Sequence, residues 1–297
     1  AFMGKTYTVE EATYDSFKDI DIALFAGGSI SKDFAPHAVK AGAVVIDNSS
    51  AFRMDPEVPL VVPEVNPQAI LKHKGIIANP NCSTIIMVMA LKPIYELSRI
   101  KRVIVSTYQA VSGAGKEGID ELDNQVREHS EGREMIANIL PSASAEKHYP
   151  IAFNLIPQID VFCDNLYTKE EMKMINETKK IMEDNEMRIT ATTIRVPVYR
   201  SHSESVNIEL EQDVDLDVMR AALAKFPGVT VQDDPASQEY PMPLYTSEKD
   251  DVYVGRLRKD ESCDKSYNLW VVGDQIRKGA ALNTLQIAET MIKNGWI

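Results

Sequence analysis

The stretch GIIANPNCSTIIMVMAL, residues 75–91, decides how the rest of the chain is read. Gly75-Ile76-Ile77-Ala78 reads as a short buried strand and Ser83 to Leu97 as a helix, with Asn81 or Ser83 as its N-cap. Cys82 then stands at a strand-to-helix turn. There the unpaired backbone N–H groups and the positive end of the helix dipole favour an anion. A thiol in that place is expected to ionise more readily than a free cysteine, and the thiolate is the nucleophile. The same N–H groups suit an oxyanion on an attacked carbonyl. Against this, most cysteines in soluble proteins are small buried hydrophobes. On these residues alone the reactive and the packed readings stand level.

Upstream, Ile20 to Phe25 is an apolar run followed by Gly27-Gly28-Ser29. Lys32 to Ala41 is helix-like with Gly42 as its stop, and Ala43 to Asp47 is another buried strand. Strand, glycine turn, helix, strand is a βαβ unit, which builds parallel sheets and binds ligands at the carboxyl edge of its strands. Gly27-Gly28 is a weak signal, since many βα turns carry glycines for packing. Val61 to Pro67 is expected to be extended because of its two prolines.

Downstream, Arg102 to Gln109 reads as a strand ending at Ala110-Val111-Ser112-Gly113-Ala114-Gly115-Lys116, and Gly118 to Glu128 as a polar helix. Glu131 to Tyr149 reads as a loop with some helix. Lys169 to Asp184 is a charged helix with Thr168 as N-cap. Strands follow at Arg188 to Val198, Ser205 to Leu210, Tyr253 to Arg258 and Tyr267 to Val272, with helices at Asp215 to Phe226 and Ala280 to Asn294. Antiparallel strands with helices on one side suggest an α+β domain after the α/β one.

The 297 residues carry a formal charge of −12, with 44% hydrophobic and 26% charged residues. No basic stripe offsets the acid, which argues against nucleic acid as a partner. Cys82, Cys163 and Cys263 are too few and too scattered for a disulfide framework or a metal cluster, and reduced cysteines of a cytoplasmic protein are the simple reading. No apolar run is long enough to span a membrane.

Four further features carry candidate chemistry. Gln109, at a strand end before a glycine turn, can donate to a carbonyl or orient a base, although such glutamines are usually solvated. His202 lies in a polar turn, Arg200-Ser201-His202-Ser203-Glu204, whose exposure would suit proton transfer near neutral pH. A surface loop histidine is the more ordinary reading. Arg195 offers a planar fork for a carboxylate, and Arg53, past Ser49-Ser50, suits a phosphate or a salt bridge. Glu177 and Lys180, three apart on the charged helix, share one face, which ordinarily reads as solvated. Cys82 and His202 are 120 residues apart, so a partnership between them is a tertiary matter.

Six motifs together settle the family resemblance: VIDNSSAFR, NPNCST, TYQAVSGAG, IRVP, SHSES and VVGDQIRKGAALNTLQIAE. In this order they resemble aspartate-semialdehyde dehydrogenase over the whole chain. The resemblance implies NADPH-dependent reductive dephosphorylation of L-aspartyl 4-phosphate to L-aspartate 4-semialdehyde through a cysteine acyl-thioester. The product serves lysine (via diaminopimelate), threonine, methionine and isoleucine biosynthesis. Carried over by motif, Cys82 is the nucleophile and His202 the general acid/base, while Gln109 orients the reacting carbonyl. Arg195 holds the substrate α-carboxylate, Glu177 the amino group, and Arg53 and Lys180 the phosphate. The implied NADP contacts are Gly27, Gly28, Ser49, Ser112, Gly113 and Asn283; no metal is implied.

The implied architecture is a Rossmann-like parallel-sheet NADP domain over residues 1–81, a catalytic and dimerisation domain over 82–278, and a last helix, 279–297, returning to the first domain. A homodimer follows from the resemblance, with dimer versus tetramer left open and an apolar sheet face as the interface. Family members begin with a strand, a glycine-rich phosphate turn and residues that read the NADP 2′-phosphate. That segment normally precedes Ala1 to Val9, AFMGKTYTV, which reads as the tail of a hairpin already under way. The NADP domain is therefore incomplete at its N-terminus, and a chain truly lacking the segment is expected to bind NADP and fold poorly. The nearest rival is N-acetyl-γ-glutamyl-phosphate reductase. Glyceraldehyde-3-phosphate dehydrogenase shares the cysteine–histidine logic at a shorter spacing, and a non-catalytic assembly subunit is the reading from a different class.

Overall fold

The computed structural model describes residues 3–297, which form two sheets joined through one buried helix. β1 (Ile22–Phe25), α1 (Ser31–Lys40), β2 (Val44–Asp47) and β3 (Ile76–Ala78) make the expected βαβ unit, its strands parallel in the order β1-β2-β3. Gly42, at φ 100°, turns the chain from α1 into β2 in a conformation that side chains resist. Gly27-Gly28, Asn48-Ser49 and Asn79 thereby come to one edge, at the carboxyl ends of the three strands.

α2 (Cys82–Tyr95) follows, and Ile85 to Leu91 have no exposed surface. A helix apolar all round belongs in a core. Beyond it run β4 (Ile100–Gln109), α3 (Gly115–Ser130), α4 (Lys169–Met182), β5 (Arg188–Arg195), β6 (His202–Leu210), α5 (Leu216–Lys225), β7 (Val229–Val231), the single turn α6 (Pro243–Thr246), β8 (Val252–Lys259), β9 (Ser266–Gly273) and α7 (Leu282–Asn294). The second sheet has the order β5-β4-β6-β9-β8-β7. One of its faces packs on α2, α4 and α5 around Val103, Val105, Val206, Ile208, Leu269 and Val271.

This sheet is mixed rather than antiparallel: β4 pairs with β5, and β7 with β8, in parallel. The β4–β5 connection carries α3 and α4, a crossover that returns the chain in the same direction. Its register sets Gln109 beside Arg195, and β6 starts opposite Gly273 with His202. Gln109 thus shares the sheet edge nearest the start of α2 with Arg195 and His202, which follow it by more than eighty residues.

Three local readings differ from the structure. Residues 62–65 form a turn, with Val65 N–H bonded to Val62 O, and Pro67 opens a 3-10 helix to Lys72. Proline disfavours helix only in the residue before it; its own fixed φ and missing N–H suit the first turn of a helix. Residues 131–149 contain no helix; their backbone is tied instead to α3, through Gln125, Glu121 and Glu128 side chains. Of the hairpin tail read over the first residues, 1 and 2 lie outside the described residues, and 6–13 carry no regular structure.

The chain's end packs back on the first sheet. Ile287 and Met291 meet Ile46, Val61, Ile70 and Ile77. Just before α7, the buried Lys278 bonds Glu64 at 2.5 Å, Asn283 Oδ1 at 3.0 Å and Gln286 at 2.6 Å.

Candidate active site

Cys82 is the first residue of α2 and is half-buried, whereas Ser83 to Leu91 after it are buried. Asn81 caps the helix: its Oδ1 accepts the Thr84 N–H at 3.2 Å, and its own N–H donates to Glu177 Oε2 at 2.6 Å. A Cβ on Gly279 would stand 3.0 Å from the Cys82 Cβ, so a side chain in the turn before α7 would crowd Cys82 by a few tenths of an ångström.

The thiol is not the acidic group expected from its position. Burial, then the charge of Glu170, push it up to about 12, against the pull of Arg53, the Ser83 N–H and Arg195. A helix start contributes roughly 0.3–1 kcal/mol to an exposed charge, less than one pH unit's worth, and desolvation outweighs it here.

His202 also departs from expectation. It is the first residue of β6, fully buried, and not part of an exposed turn. Ser201 before it holds φ 73°, an uncommon backbone for a side-chain-bearing residue, tied by Gln275 and Thr246. Nδ1 of His202 accepts the Ala110 N–H at 3.1 Å, so the neutral ring carries its proton on Nε2. Nε2 has no partner in the protein. Burial, and then Arg195, hold the ring well below its ordinary acidity range, and hence neutral.

Around these two lie the other sequence candidates. Arg195 is buried, with Nη1 on Ala110 O at 2.8 Å and Nε free of protein partners. Gln109, far from being solvated, is buried, and its Nε2 donates to Thr107 Oγ1 at 3.3 Å and Glu170 Oε1 at 3.4 Å. Arg53 pairs with the buried Glu177 at 3.2 Å and bonds Asn48 O at 2.8 Å. Burial raises the Glu177 carboxyl above its usual range despite Arg53. Ser50, Arg53, Met54, Lys169, Met172, Lys173, Asn176 and Glu177 line a cavity of about 190 Å³.

Lys180 is placed differently. Its Nζ donates to three backbone carbonyls, of Arg53 at 2.8 Å, Asp55 at 2.7 Å and Val58 at 2.7 Å. It clamps the segment that carries Arg53. Lys169 and Lys173, which sequence reasoning passed over, are the lysines facing the cavity; the signal was their spacing of four and eight from Glu177 on one helix. Glu204, two residues beyond His202 on the same sheet face, was also missed: both its oxygens are buried without a partner, and burial holds its carboxyl well above the usual range.

The nicotinamide contacts fit in part. Gly28, at φ 65°, has open space where a Cβ would lie, and Ser49 Oγ is on Asp47 at 2.5 Å beside the same sheet edge. Asp47 Oδ1 and Asn79 Nδ2 are buried there without partners, polar atoms that suit a ligand crossing the strand ends. A Cβ on Gly113 would meet Arg195 Nη1 at 2.7 Å, so a side chain there would displace the end of that guanidinium. Asn283, however, is fully buried and bonds Val61 O at 2.9 Å and Asn79 Oδ1 at 2.7 Å, and Ser112 Oγ accepts from Gln275. Gly113, Gly115 and Gly118 do have the G-x-G-x-x-G spacing between a strand and a helix, another pattern missed in the sequence. Steric reasons within the protein explain each: the Arg195 contact, φ 81° at Gly115, and Val111 O at 2.5 Å from a Cβ on Gly118. Among the described residues no group of three His, Cys, Asp or Glu could hold a metal, and no helix is long and apolar enough to cross a membrane.

The start of α2, which carries Cys82, lies between a parallel sheet and a larger mixed sheet, the two-unit arrangement of an α/β domain followed by a mixed-sheet domain. Two family models match: semialdehyde dehydrogenase, NAD binding domain, over residues 2–73, and semialdehyde dehydrogenase, dimerisation domain, over 91–278. The chain is 55% identical over 300 aligned residues to aspartate-semialdehyde dehydrogenase of Aquifex aeolicus, covering all of this chain and 86% of that protein. It is 54% identical to the Bacillus subtilis enzyme, covering 98% and 85%. A crystal structure of aspartate semialdehyde dehydrogenase II from Vibrio cholerae, complexed with ASA, superposes with a TM-score of 0.88 at 46% identity, over 93% of this chain and 81% of that one. The chain belongs to the aspartate-semialdehyde dehydrogenase family.

Proposed function

We propose that the chain catalyses the NADPH-dependent reductive dephosphorylation of L-aspartyl 4-phosphate, with Cys82 as nucleophile. The observation that carries this is one arrangement: a cysteine at a capped helix start, with two buried guanidiniums, a buried glutamate and a partnerless imidazole N–H around it. The thiolate attacks the acyl carbon, the C–O bond to phosphate breaks, and a thioester forms. The nicotinamide, when bound, supplies the hydride to that carbon. The C–S bond then breaks, the sulfur keeps the pair, and L-aspartate 4-semialdehyde leaves.

Arg195, through its unpaired Nε, takes the α-carboxylate, and Glu177 the ammonium. Arg53, with Lys169 and Lys173 along the cavity, meets the phosphate, while Lys180 holds the Arg53 segment in place. His202 donates Nε2–H to the reacting oxygen, beside the N–H groups of the helix start. Acting as a general base would require it to give up the Ala110 N–H at Nδ1. NADP, seated at Gly27, Gly28, Ser49 and Gly113, is the cofactor by family. The product enters the biosynthesis of lysine, threonine, methionine and isoleucine. A homodimer forms on the outer face of the second sheet, where Tyr108 and Trp270 lie 5.5 Å apart among Ile104, Ser106, Thr192 and Ser205; this face is mixed rather than apolar.

The test is the reverse assay. L-Aspartate 4-semialdehyde, phosphate and NADP should yield NADPH with the protein and not with Cys82→Ala. Turnover of N-acetylglutamate 5-semialdehyde in place of the aspartate compound would hand the assignment to the γ-glutamyl enzyme, and silence with both would end it.

A further inference from the structure

Glu170 has no part in the roles above, yet it is the carboxylate with the most contacts near Cys82. It is the second residue of α4 and 6% exposed. Its Oε1 accepts Asn81 Nδ2 at 2.8 Å and Gln109 Nε2 at 3.4 Å, and its Oε2 accepts Lys173 Nζ at 3.2 Å. Asn81 immediately precedes the nucleophile, and Gln109 ends β4. One oxygen therefore joins two walls of the site. We propose that Glu170 is a positioning residue, which fixes the end of the Asn81 and Gln109 amides that each presents around Cys82. The proposal rests on reading Cys82 as the nucleophile of the reaction above.

The two ends of an amide have nearly the same shape, so packing does not choose between them; hydrogen bonding does. A carboxylate only accepts. Turning either amide over would set its carbonyl oxygen against a charged oxygen. Asn81 is held from both ends, with Nδ2 on Glu170 and Oδ1 on the Thr84 N–H, and that cap starts α2 at Cys82. Gln109 has its donor end taken by Thr107 and Glu170, which leaves Oε1 as the end for the substrate. Gln109 is then an acceptor, suited to an ammonium or hydroxyl proton. The oxyanion is left to His202 Nε2–H and the helix-start N–H groups. Glutamine at 170 has the same size but donates as well as accepts, so it would no longer dictate either orientation.

Charge gives a second handle. Cys82 faces Glu170 from α4, Arg53 from the segment after β2, and Arg195 from β5. Glu170 itself faces Lys173, whose other partner is Asp160, together with Arg195 and the Arg53-paired Glu177. Without the Glu170 charge, two guanidiniums act on the sulfur unopposed.

The experiment follows iodoacetamide alkylation of Cys82 against pH in wild type, Glu170→Gln and Glu170→Asp. It is read on the Cys82 peptide by mass spectrometry because Cys163 and Cys263 are also free. kcat, KM and Tm are measured beside it. Glu170→Gln should alkylate faster at a given pH, by about tenfold for each unit that the thiol midpoint falls. Its kcat should drop on the order of tenfold to a hundredfold as the amides lose their orientation. Glu170→Asp, keeping the charge but drawn back, should lie between. A folded Glu170→Gln with wild-type alkylation and kcat overturns the proposal, and so does a change in Tm alone. If no protein forms NADPH but the alkylation shift appears, the placement of Glu170 stands and the reaction assignment falls.

Discussion

At the residue scale the identities of the chemical groups were legible and their states were not. Cys82 was readable because strand, turn and helix are local patterns, and the helix cap at Asn81 followed from the same stretch. Its acidity was misread, because helix-start N–H groups are local whereas burial and Glu170 arrive from elsewhere in the fold. His202 was found by motif, but its exposure was misjudged from neighbouring serines. The ring is anchored by Ala110 and presents a donor. His202→Gln, which keeps an N–H donor, should therefore retain at least about tenfold more activity than His202→Ala. Equal loss in both would mean that proton transfer outweighs hydrogen bonding. Glu204 makes a separate forecast. Its folded carboxyl titrates well above the unfolded value, so between the two the folded state holds one proton more and stability falls as pH rises. The slope is about 1.4 kcal/mol per pH unit inside that window. Glu204→Gln should remove it, so its Tm advantage over wild type should grow as pH rises above the ordinary carboxylate range. A constant difference there would place the carboxyl's titration elsewhere.

At the scale of elements, α4 shows why a correct helix can hide a site. Its limits and its Thr168 cap were readable, and the structure adds the reciprocal capping box with Glu171. Its charges were taken as a solvated face except where the family motif spoke for them. Glu170, Glu171 and Glu177 instead point inward, made tolerable by Asn81, Thr193 and Arg53, none of which is near in sequence. Lys180, one turn on, ties down residues 53–58. Lys180→Met should speed amide hydrogen exchange across that segment and raise KM through a loosened Arg53. Exchange unchanged there, with weaker phosphate binding, would instead make Lys180 a direct ligand. The apolar run of α2 was equally legible, and its cost is calculable. Ile86 lies under Gly273, beside the start of β6, and Ile86→Ala should lower unfolding stability by about 2–5 kcal/mol in urea.

At the scale of the whole molecule, the βαβ unit was read from glycine and apolar spacing, whereas the mixed order of the second sheet was not, because strand direction depends on crossovers rather than on any strand's own residues. Its outer face bears on assembly. Tyr108→Arg should shift a dimer towards monomer in sedimentation, and an unshifted boundary would move the interface elsewhere. The chain's end matters as much as its interface. Gly279 sits against Cys82 across 197 positions of sequence, and Lys278, Asn283, the Asp274 carbonyl and the seat of α7 keep it there. Clearance around the sulfur is thus metered by how firmly the last helix is docked. The thiol is a built-in strain gauge for that joint, and in mild urea its alkylation should accelerate before helical signal is lost.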